Sequence, residues 1–244
     1  MNNDISDFTT RAYKKLIQIA KEKYNFVSYG EYEQQPFVLW RHDCDFSLER
    51  ALRLAEIEHH MDVKSTFFLN IHSEFYNLFE QKQTQIIKKI LSLGHDIGLH
   101  FDSEYHNFPT EERMCEHLRL EAKFLESSFK TKISAFSFHN PNKTTLAYNK
   151  EKYAGLINCY SSWFQNNVSY CSDSNGYWRH ERLEDFLISS NRNSLQILTH
   201  PGWWQEDEMQ PYERIKRCVD GRASQILYKY VEDLKKHGRV NVKN

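Results

Sequence analysis

The apolar run Phe37-Val38-Leu39-Trp40 stops abruptly at Arg41-His42-Asp43-Cys44-Asp45. Two carboxylates two positions apart, where a strand gives way to a loop, can serve different sides of one small cavity. One can face a metal ion and the other a water molecule. Three more apolar runs end in the same manner: Asp96–Leu99 at His100, Ile133–Phe138 at His139-Asn140, and Leu195–Thr199 at His200-Pro201. Neutral imidazole together with carboxylate is the donor set of zinc and other borderline divalent ions in catalytic sites. His100 is the foremost imidazole candidate. The third protein ligand is open between His139, at the end of a neighbouring strand, and His106, six residues after His100, with Asp102 a further option. A divalent ion lowers the pKa of a water it binds from about 15.7 to about 7 and polarises an amide carbonyl. Asp43 then suits a general base on that water, and His200 a general acid toward a departing amine.

These residues need elements that bring them together. Ser47 is a good N-cap for a helix whose apolar side carries Leu48, Ala51, Leu52, Leu54, Ala55 and Ile57. Thr66–Leu69 reads as a strand, followed by a helix near residues 83–93 that Gly94 ends. A long amphipathic helix spans Thr110 to Ser128, and a further strand lies near Leu156–Cys159. The last helix runs from Pro211 to Lys236, with a break expected near Gly221. Strands alternating with helices imply a mainly parallel sheet, either a barrel or doubly wound. Polar clusters at four strand ends fit the C-terminal face of a barrel, where such strand ends converge. No repeat, low-complexity tract or linker divides residues 1–244, so one domain is expected. Residues 1–35, helical in pattern around Phe8–Tyr24, are expected to pack on it.

Composition removes several function classes. The net charge of −1 over 244 residues carries no basic excess of the kind that nucleic acid selects. No stretch has the eighteen or more apolar residues of a spanning helix, so no membrane partner is expected. Five cysteines with no close pair read as thiols in a reducing compartment, and MNNDISDFTTRAYKK lacks the basic start and apolar run of a signal peptide. The expected location is the cytoplasm. Oligomeric state has no signature in the sequence.

Three segments carry a resemblance. FVLWRHDCDFSLERALRLAEIEHHMDVKSTFFLN at 37–70 resembles the opening of the polysaccharide deacetylase superfamily, carbohydrate esterase family four, and within it a branch with an R-H-D-x-D signature. GHDIGLHFD at 94–102 is similar to that superfamily's second motif, and LQILTHPGWW at 195–204 to its last. The resemblance implies a distorted (β/α) barrel of seven strands, with a divalent ion held by one Asp and two His. It further implies Asp45 and His100 as ligands, Asp43 as general base and His200 as general acid. Zinc is the ion expected, with cobalt or nickel as substitutes.

Two departures from the family pattern matter. Glu104 stands where a second His follows the first at i+4, and His106 comes two residues late. FSFHNPN at 136–142 replaces an R-x-P segment whose Arg orients the base, leaving Arg41 or Arg179 to supply that cation. SYCSDSNGYWR at 169–179 is similar to the region lining the substrate cleft. Asp173, Trp178 and Arg179, with Arg41 and His42, are the candidate substrate contacts. The implied reaction removes an N-acyl group, acetyl or formyl, from an amino sugar, with a nucleotide-linked sugar of surface-glycan synthesis as the narrower expectation. The rival readings are hydrolysis of a non-sugar C–N substrate such as a cyclic ureide, and a catalytically silent carbohydrate-binding barrel.

Overall fold

After the two-residue strand β1 (Asn25–Phe26), all eight residues of β2 (Phe37–Cys44) are buried. Burial on both faces is the condition of a central strand in a parallel sheet with helices outside it. The computed structural model describes residues 4–32, 35–108, 110–178, 180–189 and 192–240. β3 (Thr66–Leu69), β4 (Asp96–Asp102) and β5 (Ala135–His139) follow in parallel register beside β2. Next come β6 (Lys152–Tyr153) and β7 (Leu156–Asn158), then β8 (Ser169–Ser172) and β9 (Ser194–Thr199). The order across the sheet is β6-β7-β5-β4-β3-β2-β9-β8, with β1 added on β2. Apart from β1 and the antiparallel β6, seven strands run parallel from β7 to β8, as the expected architecture requires.

The sheet curls into a barrel. Gln196 of β9 donates its side-chain N–H to the carbonyl of Cys159, just past β7, at 3.2 Å. Five strand-to-strand steps separate β7 from β9, which in a flat sheet would hold them about 24 Å apart. Only a sheet wrapped round on itself brings these atoms together. Among the described residues no ladder joins β7 to β8, so the barrel stays open along that seam.

The helices lie where their caps and apolar faces put them. α1 (Thr10–Lys21) seats Tyr13 against Trp40 and Trp204. α2 (Leu48–His60) starts at Ser47, whose Oγ accepts from the Arg50 N–H at 3.3 Å. α3 (Gln81–Ser92) ends ahead of Gly94, whose φ of +94° suits only glycine at a helix stop. α4 (Ser103–His106) is a single turn, and α5 (Glu111–Phe129) is capped by Thr110. α6 (Lys143–Ala147), α7 (Ser162–Asn167) and α8 (Leu183–Ile188) are short, and α9 (Pro211–Lys236) closes the chain.

Several elements depart from the sequence expectation. β2 continues through Arg41 to Cys44 and β4 through His100 to Asp102, because polar side chains on the inner face find partners there. β8, half-exposed and polar, has too weak an alternation to be seen in the sequence. α9 runs unbroken through Gly221, which has no atom near its would-be Cβ. A glycine in a helix interior costs only about 1 kcal/mol relative to alanine, too little to interrupt a helix of 26 residues. No described helix is long and apolar enough to cross a membrane, and all five cysteines are free thiols.

Candidate active site

Side chains alternate along a strand, so Arg41 and Asp43 of β2 face the barrel interior while His42 faces the helices. Asp45 continues the inward series one residue past the strand end. In the parallel register of β4 and β5, Ser137 lies beside His100 and His139 beside Asp102. β9 lies on the other side of β2, and pairing of His42 with Thr199 puts His200 at the level of Asp43. The four polar strand ends therefore meet at one mouth.

Three of these residues form a compact donor set. Asp45 Oδ1 lies 3.1 Å from His100 Nε2 and 3.5 Å from His139 Nδ1, and the two imidazole nitrogens are 3.2 Å apart. Asp45 Oδ1 is buried, yet neither imidazole offers it a well-directed hydrogen bond. A buried carboxylate oxygen without a hydrogen-bond partner is costly, and Asp45 Oδ1 stands beside two imidazole nitrogens that are themselves within hydrogen-bond distance of each other. One carboxylate and two imidazoles with all donor atoms within 4.8 Å fit a divalent ion of the zinc class. Burial raises the Asp45 carboxyl, but the neighbouring imidazoles of His100, His139 and His200 outweigh it and hold Asp45 ionised well below the usual carboxylate range. Burial likewise lowers His139, and the Asp45 charge more than reverses this.

A relay fixes the His100 ring. Ser137 Oγ donates to Asp43 Oδ1 at 3.3 Å, which leaves it to accept from His100 Nδ1–H at 2.7 Å. The proton then sits on Nδ1, and Nε2 turns its lone pair toward Asp45. Asp43 Oδ2 accepts from Arg41 Nη2 at 2.9 Å, and the same nitrogen donates to the Tyr160 hydroxyl at 2.9 Å. Of the two cations considered for holding Asp43, the structure places Arg41 there, buried between the rings of Phe68 and Tyr160.

His200 follows β9, its Nε2 3.8 Å from Asp45 Oδ2. Its Nδ1 is 2.6 Å from Asp173 Oδ1, and Asp173 also accepts from the His200 backbone N–H and from Trp204 Nε1. Burial alone lowers His200, but the charge and hydrogen bond of Asp173, with Asp45 and Asp43 behind, raise it to about 9. His200 is thus protonated at neutral pH.

The remaining sequence expectations are redistributed. Of the two rivals for the third place, His139 joins Asp45 and His100, while His106 lies in a separate cluster with His72 and Glu121. Asp102 caps α4 through the N–H groups of Glu104 and Tyr105, and Glu104 is exposed. Arg41 and His42 do not line the cavity: Arg41 is buried on Asp43 and Tyr160, and His42 points outward onto Glu58 at 2.8 Å. Asp173 is fully buried and committed to His200 and Trp204. Trp178 packs on Phe8, with its Nε1 on Asp7 at 3.1 Å. Arg179 lies outside the described residues.

The mouth opens into a cavity of about 1190 Å³. Segment 169–179 does reach it, but through Tyr170, Cys171, Ser172, Ser174 and Asn175. The rim carries Tyr105 and Tyr170, 64% and 46% exposed. Sequence reading missed Ser137 and Tyr160. Ser137 was within reach of it, since it stands two residues before His139 and so shares its face.

No protein-family profile and no curated protein matches the chain. Solved structures do. One is a family 4 acetyl xylan esterase from Clostridium thermocellum in complex with a cobalt ion, at 16% identity and a TM-score of 0.47, covering 76% of this chain and 84% of that one. The chitin deacetylase of Colletotrichum lindemuthianum is similar at 13% identity and a TM-score of 0.45, covering 78% of this chain and 84% of the other. A mutant of BA3943, a CE4 family pseudoenzyme from Bacillus anthracis, with restored enzymatic activity, matches at 15% identity and a TM-score of 0.44 over 80% of this chain. The chain spans 65% of the length of that pseudoenzyme mutant.

Proposed function

We propose that this chain is a metal-dependent hydrolase that removes an acetyl or formyl group from the nitrogen of an amino sugar. The observation that carries the reading is the placement of Asp43, paired with Arg41, and of His200, paired with Asp173, both beside the Asp45–His100–His139 triangle. An ion held by that triangle would polarise the acyl carbonyl and acidify a water at neutral pH. Asp43 takes a proton from the attacking water, and Arg41 and Ser137 hold its carboxylate in position for this. The water oxygen forms the new bond to the acyl carbon, and the C–N bond breaks as His200 gives its proton to the leaving nitrogen. Asp173 keeps His200 charged and oriented until then. Atoms balance as amide plus water giving carboxylic acid plus amine.

A cavity of about 1190 Å³ exceeds what one sugar ring needs, and the half-exposed Tyr170 at its rim is an aromatic side chain of the kind sugar rings pack against. These features support a substrate larger than a monosaccharide, and a nucleotide-linked amino sugar is the narrower proposal. Release of acetate or formate from a panel of N-acylated sugars and nucleotide sugars, by zinc-, cobalt- or nickel-loaded protein, tests it. Turnover that is lost in Asp43→Asn supports the reading. No release from any member of the panel by metal-loaded protein overturns it.

A further inference from the structure

His106, a sequence candidate for the catalytic triangle, instead belongs to a second cluster with donors of the same kind. His72 follows β3, His106 closes α4 and Glu121 projects from α5. His72 Nε2 lies 2.7 Å from Glu121 Oε1, and His106 Nε2 bonds to the same oxygen. Glu121 is 7% exposed, and its other oxygen, Oε2, is buried with no hydrogen-bond partner. We infer that His72, His106 and Glu121 form a second divalent-cation site, of the zinc class, separate from the triangle at Asp45.

Three observations support this. All three donor atoms lie within 4.8 Å of one another, and two imidazoles with one carboxylate is a set that zinc accepts. The rings are braced for ligation: His72 stacks on Tyr105 with centroids 3.5 Å apart, and His106 is sandwiched between Phe101 at 5.1 Å and His117 at 4.0 Å. A buried carboxylate oxygen with no donor is expensive to keep charged, and a cation relieves that cost. The site is continuous with the substrate cavity, which His72, Asp102 and Tyr105 also line.

Metal counting tests the inference on the full chain. Protein loaded with zinc and dialysed should hold two ions per chain by plasma mass spectrometry. Asp45→Asn should hold one, and so should His106→Gln and Glu121→Gln, each checked for folding by circular dichroism. Cobalt-loaded wild type should show a second set of visible bands that His106→Gln lacks and Asp45→Asn keeps. One ion in wild type and none in Asp45→Asn overturns the second site while leaving the first standing. One ion in wild type that survives Asp45→Asn, but not His106→Gln, supports the second site and removes the first. Two ions retained in both His106→Gln and Glu121→Gln also overturn it.

Discussion

The two faces of β2 hold the same kinds of residue and use them in opposite ways. Outward, His42 sets one nitrogen 2.8 Å from Glu58 and the other 2.7 Å from Thr199. Glu58 also accepts from Ser65 at 2.6 Å and from the Tyr13 hydroxyl, with His95 3.7 Å away. No side-chain polar atom of His42, Glu58 or His95 lacks a partner, and all three residues are buried. Inward, Asp45 Oδ1 and two nitrogens of Arg41 have no hydrogen-bond partner, and Asp43, Asp45 and His200 border a cavity. A saturated network resists change and holds the strands in register. An unsaturated one keeps capacity for a ligand. Residue type does not separate structure from chemistry here; unfinished hydrogen bonding beside open space does.

Breaking the inner face should cost activity. Asp43→Asn keeps the shape of the side chain but removes the proton acceptor, and kcat should fall by about 10²–10⁴ with bound metal unchanged. Steady-state rates alongside metal analysis check this. Breaking the outer face should cost stability instead. Glu58→Gln replaces the carboxylate that accepts from Ser65 and Tyr13 and faces His42, a loss of about 1.5–3 kcal/mol. The melting temperature should drop by on the order of 10 °C by calorimetry, with metal stoichiometry intact at 25 °C. Activity lost before stability in this variant would erase the distinction between the faces.

Smaller changes sharpen it. Ser137→Ala removes the acceptor that fixes the His100 tautomer and should weaken metal affinity by about 10–100-fold in a chelator competition. Asp173→Asn acts through His200. An acid must be protonated, so kcat/KM declines as pH rises through the His200 pKa, raised to about 9 by Asp173. Without the Asp173 charge that pKa falls, and the alkaline limb of the pH profile should move down, with about a tenfold loss at pH 8 if the limb moves by two units. An unmoved limb would show that His200 is not the acid.

Much of the frame was legible locally. The caps at Ser47 and Thr110 and the stop at Gly94 act within a turn of their own residue, so local sequence suffices for them. The polar terminations of β2, β4, β5 and β9 could be read for the same reason. Asp173 was harder. Its segment looks like a polar surface loop, and only the pairing of Ser172 with Leu198 brings it level with Thr199, next to His200.

The sequence by itself determined which residue types stand at each strand end and, through the two-residue alternation of a strand, which of them share a face. It could not determine which strands become neighbours or in what register, since those depend on closing the whole sheet. His106 is six residues from His100 and His139 is thirty-nine away, yet the nearer one leaves with the α4 turn while the β4–β5 ladder delivers the farther one. Proximity along the chain is lost wherever a turn intervenes. Proximity across a sheet is created by hydrogen bonds between segments distant in sequence, and these exist only once the barrel has formed.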